Sequence, residues 1–420
     1  QHSCSGMKFA HFADIHIGSW ADDRLAEAST RAFAKAIDIC IEKSVDFILI
    51  SGDFFNTSLP SIDRLKEVTS KLKELSDRKL PVYIIPGSHD YSPTGKTMLD
   101  VLENAGLFTN VMRGSSNDDG KIELKFTVDV KTGAKITGIG GKKGMLDKHY
   151  YEQLLLENLE KEPGFKIFMF HTAIEEFKPR GLEQMEAVPL AMFPKGFGYY
   201  AGGHIHRVFE RSVKGYGLIT MPGPLFPNSF DELELLGSGG FYIVEAEGGN
   251  DASTSSVKVT HYPIVIHNVF TVAVDAEKKS PGEVSSELLA AVERKEFYNT
   301  IVLLRVAGTL RSGKPGDINF RQFFDAAYGK GAVYVARNIS KLFGEDFEEV
   351  KVDYHSVEDI EQKLISEHVG QSKAFTADKE KELAHKLLHI LAKEKEEGET
   401  NADFEKRVRE DFANVLGIRL

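Results

Sequence analysis

Five short apolar runs in the chain are each followed within three residues by aspartate, histidine or serine. Asp14 and His16 follow Phe9–Ala13, Asp53 follows Phe47–Ile50, and Ser88, His89 and Asp90 follow Val82–Ile85. His171 follows Ile167–Phe170, and His204 and His206 follow Tyr199–Ala201. Asp14 and His16 are two positions apart, as are His204 and His206, and in extended backbone that spacing turns both side chains the same way. Gly52, Gly87 and the pair Gly202 and Gly203 stand just ahead of these residues, where backbone freedom lets a side chain be aimed sideways. Imidazole and carboxylate donors without thiolate suit manganese, iron or zinc. Asp14, His16, Asp53, Ser88, His171, His204 and His206 are too many for one tetrahedral site. They suit two ions about 3.5–4 Å apart that share a carboxylate, the arrangement used to hydrolyse phosphate esters. One histidine after an apolar run is more often a hydrogen-bonded core residue, but an ordered set at five strand ends points to a metal site. His11, inside the first run, reads as core or as support behind the ligands.

Residues so far apart in sequence meet only if their strands lie side by side. In an open α/β sheet, ligands bind at the carboxyl ends of the strands. The runs are continuously apolar or nearly so, as strands buried on both faces are, and the segments between the first three carry helical spacing: Phe33 and Ile37, then Leu65, Val68, Leu72 and Leu75. Shorter strands are expected at Lys121–Val130 and Lys135–Ile139, a helix at Tyr150–Glu160, and further strands at Gly217–Met221 and Phe241–Glu245. A Gly/Asn/Asp/Ser-rich turn over Glu247–Ser256 leads to a boundary near His261–Pro263. Beyond it strand, helix, strand, helix, strand (Val269–Val274, Pro281–Arg294, Thr300–Val306, Asn319–Tyr328, Ala332–Ile339) read as a small α+β domain. Two amphipathic helices, Thr376–Glu397 and Asn401–Val415, are split by Gly398 and carry apolar stripes with Leu387, Leu391, Phe404, Val408 and Phe412.

The 420 residues carry 52 Lys and Arg against 63 Asp and Glu, for a net charge of −11, and are 42% hydrophobic. This composition excludes a disordered chain, and 2 cysteines exclude a disulfide scaffold. Residues 1–6 precede Met7 and look like an expression scar, and Cys40 lies on the apolar stripe with Phe33, Ile37 and Ile41 and reads as core. No run of about 20 apolar residues spans a bilayer, and no signal sequence is visible, so a cytoplasmic, nucleoid-associated protein is expected. Net acidity argues against a uniformly basic surface but says nothing of local patches.

Asp14-Ile15-His16, Gly52-Asp53, Gly87-Ser88-His89-Asp90, His171 and Gly203-His204-Ile205-His206 resemble, in order, the motifs of calcineurin-like metallophosphoesterases. Within that superfamily the stretches Lys8–Gly18, Val45–Asp53 and Met221-Pro222-Gly223-Pro224 resemble the Mre-eleven/SbcD group, nuclease subunits of DNA double-strand-break repair. The resemblance covers Met7 to about Ile243 and implies an α/β fold: a layered αββα sheet sandwich with a small α+β capping domain and a C-terminal helical segment. The domains it implies are a nuclease domain at 7–262, a DNA-binding cap at 263–353 and an ATPase-docking segment at 354–420. It further implies two manganese ions, with magnesium or another divalent ion as substitute. Asp14, His16 and His206 would hold one ion, Ser88, His171 and His204 the other, with Asp53 shared. His89 would stabilise the transition state or protonate the leaving oxygen, and Asp90 would orient His89 or cap the following turn.

Two positions depart from the group. Ser88 stands where asparagine is usual, with a shorter reach toward the second ion, and Asn56 stands where many members carry histidine, removing one phosphate contact. Activity is expected to persist in weakened form. Lys142, Lys143 and Lys148, beside His149 in a glycine-rich loop, suit contact with a DNA backbone, although surface lysines are common, and the same holds for Lys178 and Arg180. The resemblance implies a Rad-fifty/SbcC-type ATPase as partner of the terminal helices and a homodimer through Ile62–Leu75 and Met98–Leu102, stripes that core packing explains equally well. DNA ends are the implied substrate, cut from 3′ to 5′ on duplexes and endonucleolytically on single strands. The alternatives are a phosphatase or small phosphodiesterase of the same fold, and a weakly active DNA-end tethering scaffold.

Overall fold

The computed structural model describes residues 6–91, 97–117, 119–141, 146–182, 184–247, 256–344, 377–391, 393 and 401–416. It divides into two compact units, residues 1–345 and 346–420. The first unit begins with β1 (Met7–Phe12), α1 (Asp23–Glu42), β2 (Phe47–Ser51), α2 (Ile62–Asp77), β3 (Val82–Ile85), α3 (Met98–Asn104) and β4 (Thr109–Asn110). Asp22 and Ser61 cap α1 and α2 by accepting from backbone N–H groups of the first turn. A hairpin of β5 (Gly114–Ser116) and β6 (Ile122–Leu124) precedes β7 (Thr127–Val128) and β8 (Lys135–Ile139). Helices α4 (Leu146–Glu152) and α5 (Leu156–Lys161) lead to β9 (Lys166–His171), β10 (Tyr199–Gly203), β11 (Phe209–Ser212), β12 (Leu218–Met221), α6 (Phe230–Leu236), β13 (Gly239–Glu247) and β14 (Ser256–Ile264).

These strands form two six-stranded sheets, ordered β14-β13-β1-β2-β3-β4 and β11-β12-β10-β9-β8-β7. The central strands run parallel and the outer additions β13, β14, β11 and β7 antiparallel. Alternation along β2 explains the layering: Phe47 and Leu49 face the second sheet, where they meet Ile167, Met169, Tyr199 and Ala201. Ile48 and Ile50 face α1 and α2, against Phe33, Ile37, Val68 and Leu72. The outer face of the second sheet buries Phe168, Phe170 and Tyr200 under Tyr151, Leu159 and Phe193. The expected αββα sandwich is therefore present.

Four local expectations change. The helix expected over Tyr150–Glu160 is two, because Leu154 bridges to Ile122 and the Leu155 N–H donates to the Ile122 carbonyl, which breaks the helical ladder. The strand expected over Lys121–Val130 divides into β6 and β7, which join different sheets. β14 carries the first sheet through His261 and Pro263 to Ile264, with Pro263 on an edge strand where a missing N–H costs nothing. Helix α6 has no counterpart in the sequence reading.

After β14 come β15 (Asn268–Asp275), α7 (Pro281–Glu293), β16 (Thr300–Thr309), α8 (Phe320–Gly329) and β17 (Ala332–Phe343). The three strands form a parallel sheet in the order β15-β16-β17. Alternate residues Val302, Leu304 and Val306 pack under Val284, Leu288 and Phe323 of the helices, while Ile301 and Leu303 join the core of the first sheet. In the second unit, helices Ala377–Leu391 and Asn401–Leu416 bury Leu383, Ile390 and Ala413, and Lys393 pairs with Asp411 at 2.8 Å. No described helix is long and apolar enough to cross a membrane.

Candidate metal centre

The carboxyl ends of β1, β2 and β3 from one sheet meet those of β9 and β10 from the other, and every polar cluster singled out in the sequence sits there. The turns are tight. Among the described residues, four of the eight non-glycine positions with positive φ are Asp14, His16, Asp53 and His204, a conformation that costs about 1–3 kcal/mol each and is held by its surroundings. At Gly87 a Cβ would stand 2.2 Å from both the backbone nitrogen and Oδ1 of Asp53, so only glycine lets this loop close on the carboxylate.

Three groupings of possible ligands, each with its atoms within 4.8 Å of one another, share members: Asp14, His16 and His206; His16, Asp53 and His89; Asp14, Asp53 and His171. The first is the expected trio, and Asp53 stands between the other two. His204 lies alongside, its ring edge-on to His171 with centroids 5.3 Å apart, and its backbone N–H donates to Asp14 at 2.9 Å. It joins none of the three groupings. Ser88 sits between Gly87 and His89 in the loop that closes on Asp53. His89 donates its backbone N–H to Asp53 Oδ1 at 2.8 Å, and its Nδ1 is 2.9 Å from the Asn56 carbonyl. A carbonyl only accepts, so Nδ1 carries the proton and Nε2 is left with a lone pair.

Hydrogen bonds around the rings show that the cluster fits divalent cations. His171 Nδ1 donates to the Ser51 carbonyl at 2.8 Å, so its Nε2 lone pair faces Asp53 Oδ2 at 3.1 Å. His206 Nδ1 donates to Glu232 at 2.9 Å, so its Nε2 lone pair faces His16 Nε2 at 3.3 Å. Ring nitrogens and carboxylate oxygens converge within 3.1–3.5 Å, where only a proton or a cation can lie between them, and the buried His16 Nδ1 has no hydrogen-bond partner. Buried groups left this way are costly unless a cation lies between them. A second nitrogen tied to a carboxylate or carbonyl is how proteins orient metal-binding imidazoles.

The charges within the cluster set its rings apart. Burial opposes a charge on His171, but Asp53 and Asp14 outweigh it and push the ring up to about 10. Burial likewise opposes a charge on His206, yet Asp14 and Glu232 push it up to about 8. Burial dominates at His16 and His204, pushed down to about 3 and about 4. Asp53 is held well below the usual carboxylate range: burial works against its charge, and His171 and His16 prevail.

The structure also reveals support that the sequence reading missed or left open. Asp90 does not touch the His89 ring. It accepts from the backbone N–H groups of Gly87 at 2.8 Å, Phe55 at 3.0 Å and Phe54 at 3.3 Å, clasping the loops after β2 and β3. Burial and the Asp53 charge push it up to about 7 despite these donors. His11 is buried behind the centre, bonded to Tyr199 Oη at 2.9 Å and Ser51 Oγ at 3.1 Å. Glu232 is a new residue; its signal was Ser229-x-x-Glu232 ahead of Leu233, Leu235 and Leu236, a helix-start pattern. Lys148 is exposed on α4, and Lys142 and Lys143 lie outside the described residues. In the second unit Leu391 is exposed, and Leu387, Phe404, Val408 and Phe412 are half-buried.

Residues 7–208 match the family described as calcineurin-like phosphoesterase, a span that holds every candidate ligand. This region is a calcineurin-like phosphoesterase domain. Across it the chain is similar to the DNA double-strand break repair protein Mre11 of Archaeoglobus fulgidus, 28% identical over 52% of this chain and 49% of that protein. It is also similar to Mre11 of Methanococcus maripaludis, 27% identical over 59% of this chain and 65% of the relative. The match thus spans 49% and 65% of these relatives' length. A dimetal phosphatase from Danio rerio aligns over 61% of this chain and 99% of its own at 10% identity, with a TM-score of 0.39. The phosphoesterase domain carries the metal-competent cluster between its two sheets.

Proposed function

We propose that the chain is a two-metal DNA nuclease of double-strand-break repair, a 3′ to 5′ exonuclease on duplex ends and an endonuclease on single strands. The observation that carries this reading is the set of ring nitrogens and carboxylate oxygens that converge around Asp53 from the strand ends of a phosphoesterase domain. The similarity to Mre11 proteins supports DNA over other phosphate esters. Divalent ions, manganese first, would polarise the phosphodiester and supply an activated water there. Asp14, His16, Asp53, His171 and His206 would hold them, with Ser88 and His204 completing the second position. His89, with Nδ1–H fixed by the Asn56 carbonyl, would take a proton on Nε2 and donate it to the leaving oxygen from the imidazolium form. Asp90 holds the loops on which Asp53 and His89 sit.

The β15–β17 sheet with α7 and α8 would form the DNA-binding cap, with Lys148 and the Lys142 and Lys143 loop along the phosphate path. The helices Ala377–Leu391 and Asn401–Leu416 would dock a Rad-fifty/SbcC-type ATPase, with exposed Leu391 in the contact. A homodimer would form through α2 and α3, on or beside which Leu59, Ile62 and Val101 are exposed. The chain would work at nucleoid DNA in the cytoplasm.

Degradation of a 3′-labelled linear duplex in manganese, magnesium or chelator, with an aryl phosphomonoester alongside, tests the reading. We expect manganese-dependent loss of label, reduced at least a hundredfold by His89→Ala. Hydrolysis of the aryl ester alone would replace this reading with a phosphatase, and hydrolysis of neither substrate with or without the ATPase would replace it with a tethering scaffold.

A further inference from the structure

The β15–β17 sheet touches the candidate metal centre through one short helix. Arg305 on β16 directs its guanidinium at α6: Nε lies 3.0 Å from both Glu234 carboxylate oxygens, and Nη2 lies 2.6 Å from Oε2 of the same group. Nη2 also donates to Asp231, and the Phe230 ring lies 5.0 Å from the guanidinium carbon. All three partners belong to α6. Asp231 and Glu234 are one helical turn apart and share a face, so one planar fork grips both. Glu232 lies between them in sequence and points elsewhere, accepting from His206 Nδ1 at 2.9 Å and from the Asn228 N–H at 2.8 Å.

A helix of seven residues has no stability of its own and takes its orientation from what holds it. Leu233 is buried in the core, Ser229 caps the first turn, and Trp20 Nε1 donates to the Pro227 carbonyl at 2.9 Å just upstream. These contacts locate the start of α6 and its inner face. On the outer face Arg305 reaches it from another sheet.

We propose that Arg305 is a positioning residue for His206. By gripping Asp231 and Glu234 it sets the rotation of α6, and with it the Glu232–His206 hydrogen bond that keeps the His206 Nε2 lone pair aimed at the metal position. The seating of the β15–β17 sheet and the affinity of the centre for a divalent ion are thereby coupled. The coupling is reciprocal, so ion binding also steadies β16 against α6. This rests on the reading of His206 as a ligand.

Calorimetric titration of the metal-free full chain with manganese chloride tests it. Outer partners of ligating histidines change affinity by about 10–100-fold, and Arg305→Leu acts one step further out, so about a fivefold to tenfold weaker first binding event is expected. Glu234→Gln should shift affinity the same way, and Arg305→Lys should recover part of the loss. Arg311→Gln, which removes the 3.0 Å pair with Glu283 within the β15–β17 domain, should bind as the parent does. In hydrogen exchange, manganese should protect β16 amides in the parent and not in Arg305→Leu. Parent-like affinity in both Arg305→Leu and Glu234→Gln, with binding lost in His206→Ala, would overturn the coupling and leave the ligand assignment standing. Unchanged binding in His206→Ala would overturn both.

Discussion

Protonation of the ring nitrogens competes with metal binding at the cluster. His171 and His206, with folded values of about 10 and about 8, carry protons at pH 7 that an incoming ion must expel. Manganese binding should therefore release protons, and affinity should rise from pH 6 to pH 8. Calorimetry in buffers of different ionisation enthalpy reads this directly; zero release would mean that the ion binds elsewhere. The same shifts act on the metal-free fold. Raised values at His171 and His206 stabilise it fully below the ordinary histidine value of about 6.5, and this is lost as pH rises through 8 and then 10. Depressed values at His16 and His204 stabilise it above about 6.5, and this is lost as pH falls toward 4 and 3. The ligand candidates were legible because each follows an apolar run at a strand end, where little but a site explains a buried Asp or His. Asp90 was less legible: two of its three partners are backbone N–H groups of a loop more than thirty residues away, which no local pattern records.

Among the elements, α6 is the instructive omission. The central strands could be read from continuous apolar runs, and α1 and α2 from their stripes, because each repeats a period over many residues. Seven residues offer fewer than two turns of periodicity, and α6 declares itself only through its ends, Ser229 and Gly237. The same brevity hid the break between α4 and α5, which depends on pairing with Ile122. Ser229 carries the cap of α6 through its contact with the Glu232 N–H. Ser229→Ala should cost about 1 kcal/mol in chemical denaturation and weaken manganese binding, because the same turn presents Glu232 to His206. A stability loss with unchanged affinity would show that Glu232 keeps its place without the cap.

For the whole molecule, the apolar exposure on and beside α2 and α3 concerns association. Ile62 is 82% exposed and Leu59 76%, apolar area that the proposed dimer would cover. Ile62→Glu should move the protein from dimer to monomer in sedimentation velocity while its far-ultraviolet spectrum is retained; a parent that sediments as a monomer at tens of micromolar would remove the dimer. The sequence suggested this surface only as an ambiguous stripe, since Val68, Leu72 and Leu75 of the same helix are buried in the core.

The cluster draws on residues 190 positions apart, with His16 beside His206. During synthesis at about 5–20 residues per second, Asp14 and His16 emerge roughly 10–40 seconds before His206 exists. Until β9 and β10 have been made and the second sheet has closed on the first, the early ligands form only half a coordination shell. Metal acquisition is thus a late event in the life of the chain, following the end of translation of this region. Which ion the protein carries is then decided by the free-metal pool that the finished fold meets, since mixed imidazole and carboxylate donors discriminate weakly among the divalent ions on offer.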